Sequence, residues 1–325
     1  MDFRTIVNIP QASFRISPCE RMLFVGSCFA DNIGRRFQQE QFRALVNPFG
    51  VMYNPASILH TVERLSSAPS ESVLDPPWAS PALPFTKDEP GTAVFTLGTS
   101  HVYILKETGE IVDNCQKRPQ ALFQERELTV DECADYLRQT ISLIHSQFPQ
   151  VNIILTVSPI RYRKYGYHGS QLSKATLLLA IDKVTRDSGT VGQWGQFASA
   201  QFAVGQSGLP SRTAPRDSGT VGQWGQLFYF PSYEILNDEL RDYRFYQADM
   251  LHPSDQAVDY IWERMAETFF SKETLTFLQA WKPIREALAH RPFDAASPAY
   301  QTFLKQTHEK ARELQQRYPQ LQLPF

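Results

Sequence analysis

Three observations predict an α/β fold built on a doubly wound parallel sheet with a C-terminal helical appendage. Short apolar runs of strand length occur at residues 22–25, 93–97 and 151–157. They alternate with segments of helical period at residues 29–39, 57–65 and 129–147. Beyond Phe270 only helical patterns remain, at residues 273–290 and 298–318. Strand, helix and strand in alternation imply right-handed parallel crossovers. The 325 residues, 42% of them hydrophobic, suffice for one sizeable core.

The run Met22-Leu23-Phe24-Val25 reads as a buried strand that breaks at Gly26 and delivers Ser27 to the start of a helix, in which Phe29, Ile33, Arg36 and Phe37 recur on one face. A serine there has its oxygen at the carboxyl edge of the sheet, where open α/β sheets bind ligands. The helix dipole favours a developing negative charge at that place. Ser27 therefore suits an acyl-enzyme nucleophile, and it serves equally as a plain N-cap. Cys28 beside it is a lesser nucleophile candidate or a core cysteine.

The partner element is Asp249-Met250-Leu251-His252-Pro253. An aspartate three residues before a histidine can accept its Nδ1 proton and leave Nε2 to face a serine. Pro253-Ser254-Asp255 then reads as a turn and N-cap for a helix over residues 256–270.

Between these ends, residues 42–46 read as a strand ending at Asn47-Pro48-Phe49-Gly50, and residues 69–90 hold six prolines with almost no periodicity, a covering strap. His101 reads as a structural hydrogen-bonder. Arg161, leaving the third strong strand, faces the Ser27 rim; its guanidinium can hold a substrate carboxylate or pin a loop. Residues 171–183 read as a helix with Leu172, Ala175, Thr176, Leu179 and Ala180 inward. An eleven-residue segment, Arg-Asp-Ser-Gly-Thr-Val-Gly-Gln-Trp-Gly-Gln, occurs at 186–196 and again at 216–226. Two copies are too few for a solenoid, so residues 186–226 read as a duplicated insertion, with a lid carrying Trp194 and Trp224 as the functional alternative. Residues 227–230 supply a last strand.

A formal net charge of -2 with dispersed Lys and Arg argues against nucleic acid and membrane partners. No apolar run reaches membrane-spanning length and the first residues lack a signal-peptide core, so a soluble cytoplasmic protein is expected. Four cysteines without CxxC spacing suggest reduced thiols, no metal and no cofactor.

The run Gly26-Ser27-Cys28-Phe29-Ala30 resembles the signature of the GSCFA domain family, itself similar to serine esterases and acyltransferases of the SGNH or GDSL type. Asn47 to Gly50, Tyr53-Asn54-Pro55, Thr96 to Thr99, Asn114-Cys115 with Lys117, Ser158 to Arg161, Ser173-Lys174-Ala175 and Asp249 to Ser254 agree with it. The resemblance covers residues from about 9 to about 270 and implies a flavodoxin-like, three-layer α/β/α domain of SGNH-hydrolase type over residues 1–270, with residues 271–325 as the appendage. It implies Ser27, His252 and Asp249 as a catalytic set and Gly50 as an oxyanion amide. Ser100, with Thr99 beside it, stands where such enzymes carry an asparagine donor, and Asn114 is the other candidate for that role. The implied activity is hydrolysis of an O-acyl ester, such as an acylated carbohydrate. The alternatives are O-acyl transfer with the same residues and a non-catalytic binding module. The chain departs from the family in having Trp78 but no histidine between His60 and His101, and Gln116 where histidine is usual. Oligomeric state is left open.

Overall fold

A computed structural model describes residues 4–67, 81–113, 115, 118–187, 225–323 and 325. Five parallel strands form the central sheet: β1 (Arg21–Gly26), β2 (Arg43–Val46), β3 (Gly91–Leu97), a strand at Asn152–Val157 and an edge strand at Leu227–Tyr229. A smaller antiparallel sheet consists of β4 (His101–Leu105), β5 (Ile111–Val112) and β6 (Phe123–Glu127). Numbered in chain order, the last two strands of the central sheet are β7 and β8, and its spatial order is β2-β1-β3-β7-β8. The direction of winding reverses between β1 and β3, so a crevice opens at their carboxyl ends.

Helices cover both faces. On one lie α2 (Pro55–Ser67), α3 (Val130–Gln147) and α4 (Gly166–Asp187). On the other lie α1 (Cys28–Gln39) and α5 (Asp255–Phe269). Alternate residues of each strand serve the two faces, as a pleated strand requires. Leu23, Val25, Ala93, Phe95 and Leu155 pack with Val62, Leu137 and Leu177. Phe24, Val94, Ile154 and Phe228 pack with Phe37, Ile261 and Trp262. Both faces are buried, which explains why these strands read as continuous apolar runs.

The inward face of α4 differs from the expected one. Ser170, Ser173, Lys174, Leu177, Ala180, Ile181 and Val184 are buried, whereas Leu172 and Leu179 are more than half exposed. The apolar period pointed to the wrong side because the first turns of α4 bury polar residues beneath the sheet's carboxyl edge.

The edge strand β8 pairs with β7, Ile153 opposite Leu227. Its entry is tied down where the Gly225 N–H donates to the Pro149 carbonyl (2.6 Å) and the Gln226 N–H to Asn152 Oδ1 (3.0 Å). Trp78, Trp194 and Trp224, on which the strap and lid expectations rest, lie outside the described residues.

The C-terminal helices α6 (Lys272–Ala289) and α7 (Pro298–Arg317) form their own cluster with Cys19, through Phe277, Trp281, Leu314, Tyr318 and Leu321. Trp281 fastens this pair to the sheet domain, because its indole N–H donates to the Gln39 carbonyl at the end of α1 (3.0 Å). Among the described residues no helix is long and apolar enough to cross a membrane. Trp281→Ala removes a fully buried ring and its hydrogen bond, and should cost about 3–5 kcal/mol of unfolding free energy, measurable by urea denaturation.

Candidate active site

The turn from β1 to α1 is set by Gly26. Its φ is +151°, and a Cβ there would fall 2.2 Å from the Thr96 carbonyl oxygen, so only glycine lets the chain pass this close to β3. Asn47 locks the turn from the other side. Its Oδ1 accepts from the Gly26 N–H (2.9 Å), and its Nδ2 donates to Asp31 in α1 (2.6 Å).

Ser27 follows directly. Its N–H is shared between the Thr96 carbonyl (3.2 Å) and Thr96 Oγ1 (3.1 Å). Its Oγ accepts from the Phe29 N–H (3.2 Å) as the N-cap of α1 and donates to Ser158 Oγ (2.9 Å) at the exit of β7. Both sequence readings of Ser27 thus meet in one side chain: it caps the helix, and it lines a cavity of about 250 Å³.

His252 lines the same cavity. Its Nδ1 lies 2.5 Å from Asp249 Oδ2, while Asp249 Oδ1 accepts from the Leu251 N–H (2.8 Å) and the His252 N–H (3.0 Å). These two amides, with the imidazole, hold the Asp249 carboxyl down at about 2. The loop is held in place from β7, since the Arg161 N–H donates to the Leu251 carbonyl (3.1 Å) and its guanidinium to the Met250 carbonyl (3.3 Å). Among the described residues Ser27 Oγ makes no hydrogen bond to His252; its proton rests on Ser158.

The remaining predicted residues separate. Arg161 lines the cavity. The Gly50 N–H is occupied by the Asn47 carbonyl (2.8 Å), and Gly50 is not among the residues lining the cavity. Thr99 Oγ1 is within 3.0 Å of Ser173 Oγ, and Ser100 Oγ donates to Glu127 (3.1 Å), both beneath the small sheet rather than in the Ser27 cavity. Asn114 lies outside the described residues. His101 stacks on Tyr165 with ring centres 3.6 Å apart, a structural role. Cys28 is half-buried at the cavity wall, its Sγ 3.8 Å from the Tyr53 hydroxyl. Among the described residues there is no group of three His, Cys, Asp or Glu side chains able to hold a metal ion.

Sequence reasoning missed Ser158 and Lys174 as members of the site. Lys174, only 2% exposed, donates from Nζ to the Gly98 carbonyl (2.7 Å) and the Ser158 carbonyl (2.8 Å). It therefore ties the carboxyl ends of β3 and β7 together while lining the cavity beside Ser27. Burial pulls its amine down to about 7. A lysine beside Ser170 and Ser173, in register with Leu177, Ala180, Ile181 and Val184 on one helix face, was the available signal.

Two outcomes follow. Gly26→Ala forces the turn off Thr96 and should cost about 3 kcal/mol or more, seen as a lowered urea midpoint. For Lys174, the unfolded amine titrates near 10.5 and the folded one near 7, so the unfolded chain holds the extra proton between them. Stability from this residue therefore rises with pH across that window and is lost as pH falls through 7. Wild type should gain stability relative to Lys174→Met between pH 7 and pH 10 in parallel urea titrations.

The sequence model of the GSCFA family matches residues 21–75, 87–194 and 218–265, and that of the GSCFA domain protein C-terminal domain matches residues 281–324. No curated protein matches the chain. With well over half of its residues covered, including Ser27, Lys174 and His252, the chain belongs to the GSCFA family.

Proposed function

We propose that this protein is a serine esterase of SGNH type that cleaves an O-acyl ester through an acyl-enzyme on Ser27. One observation carries the reading: Ser27, at the start of α1, and His252, braced by Asp249, line one cavity although 225 positions of chain separate them. The order β2-β1-β3-β7-β8 supports it, because the cavity lies at the switch point where such sheets take ligands.

In this mechanism an entering ester displaces the resting contact between Ser27 and Ser158. The Ser27 proton turns to His252 Nε2, the ring nitrogen that Asp249 does not engage, as Oγ attacks the carbonyl carbon. Asp249 keeps its negative charge throughout and stabilises the imidazolium. The N–H of Cys28, first in α1 and without an intrahelical partner, receives the oxyanion in this mechanism, aided by the helix dipole. His252 then returns the proton to the leaving alcohol. Water, activated by the same imidazole, releases the acid and restores Ser27.

Ser27→Ala should abolish turnover of short activated esters, with a loss of about 10³-fold or more in kcat, and labelling of the wild type by a fluorophosphonate should fall on Ser27 alone. Asp249→Asn should lose about 10²–10⁴-fold in kcat with KM little changed, since the imidazole loses its orienting charge while the cavity keeps its shape. A Ser27→Ala protein with full activity ends the proposal.

A further inference from the structure

The walls of the Ser27 cavity carry an unbalanced charge. Arg161, Arg163, Lys164 and Lys174 line it, and among the described residues no Asp or Glu does. Lys164 is neutralised by Glu125 at 3.1 Å. Among the described residues the other three have no carboxylate partner.

Each of the three is kept charged or poised by a different arrangement. Arg161 is half-buried, its guanidinium 4.5 Å from the Tyr167 ring centre and 5.6 Å from that of Tyr246, which orients it without satisfying its charge. Arg163 is exposed at the opening and, among the described residues, makes no side-chain hydrogen bond or ion pair. Lys174 lies at the bottom, its ammonium fixed by two carbonyls, with one N–H direction left. Burial favours the neutral amine of Lys174, and an anion beside it would favour the charged form.

We infer that the ester taken up by this cavity bears a phosphate group, held at the opening by Arg161 and Arg163, while Lys174 faces the carbonyl that Ser27 attacks. The inference rests on the acyl-enzyme reading of Ser27. Charge balance selects phosphate: a phosphate monoester carries close to two negative charges at neutral pH, matching two guanidinium groups, and its three oxygens accept both planar forks. A carboxylate would leave one guanidinium unmatched. The single charge that develops on the carbonyl oxygen during attack matches Lys174.

The first test titrates inorganic phosphate into wild-type protein, Ser27→Ala, Arg163→Gln and the Arg161→Gln/Arg163→Gln pair by calorimetry, at constant ionic strength, with acetate as comparator. Wild type and Ser27→Ala should bind phosphate equally and at least tenfold more tightly than acetate. Arg163→Gln, a change at an exposed side chain that leaves the fold untouched, should weaken phosphate at least threefold and the pair at least tenfold. Acetate binding as tight as phosphate, or phosphate binding unaffected by both Arg variants, overturns the inference. The second test compares kcat/KM for 1-acetylglycerol 3-phosphate and 1-acetylglycerol. A preference of about 100-fold for the phosphorylated ester, falling below tenfold in the double variant, is expected; equal rates on the two esters overturn it. If phosphate binds as described and neither ester is cleaved, the nucleophile assignment of Ser27 has failed while the anion site stands.

Discussion

The contact between Gly26 and Thr96 governs the geometry of this molecule. With no Cβ at position 26, β1 passes its neighbour closely enough for the Ser27 N–H to donate to Thr96 and for the two hydroxyl oxygens to lie 3.3 Å apart. Everything at the carboxyl edge follows from that approach. The Ser27 oxygen is held at the mouth of α1, the Met52 N–H finds the Gly26 carbonyl (2.8 Å), and Asn47 fastens the turn to the helix. A single hydrogen atom in place of a side chain thereby fixes the direction of a hydroxyl.

Around that hydroxyl the structure gives up stability. Helix α4 turns Ser170, Ser173 and Lys174 inward and leaves Leu172 and Leu179 in solvent, the reverse of what burial of apolar surface favours. A helix optimised only for packing would place its leucines against the sheet. The polar face is understandable as support for strand ends: Ser173 Oγ accepts from the Ser100 N–H (2.7 Å), and Lys174 spans β3 and β7. Such exchanges of packing for polar order are characteristic of functional sites rather than of cores.

Much of this was legible in the chain. Strands β1, β3 and β7 are buried on both faces, so each announced itself as an apolar run, and the helices fell close to their expected places, with α4 starting five residues earlier than its period suggested. The small sheet was not legible. In β6, Phe123-Gln124-Glu125-Arg126-Glu127, only the phenylalanine is buried, and a half-charged strand of this kind has no hydrophobic period to read. At the site, Ser27 and the Asp249–His252 pair were visible because their spacing carries their chemistry. Gly50 was assigned through the family resemblance, yet it is Asn47, three residues earlier, that reaches the turn. Lys174 escaped because its partners are main-chain carbonyls from two distant strands, and carbonyls leave no trace in a list of side chains.

The way β8 joins the sheet bears on how the chain has changed. Helix α4 runs back from the carboxyl edge and ends at Asp187, and Leu227 starts β8 at the opposite, amino edge, moored by Pro149 and Asn152. The described ends of residues 186–226 therefore both lie at the edge of the sheet opposite Ser27. A one-residue change between Val25 and Cys28, by contrast, would pull Ser27 away from Thr96 and from the start of α1.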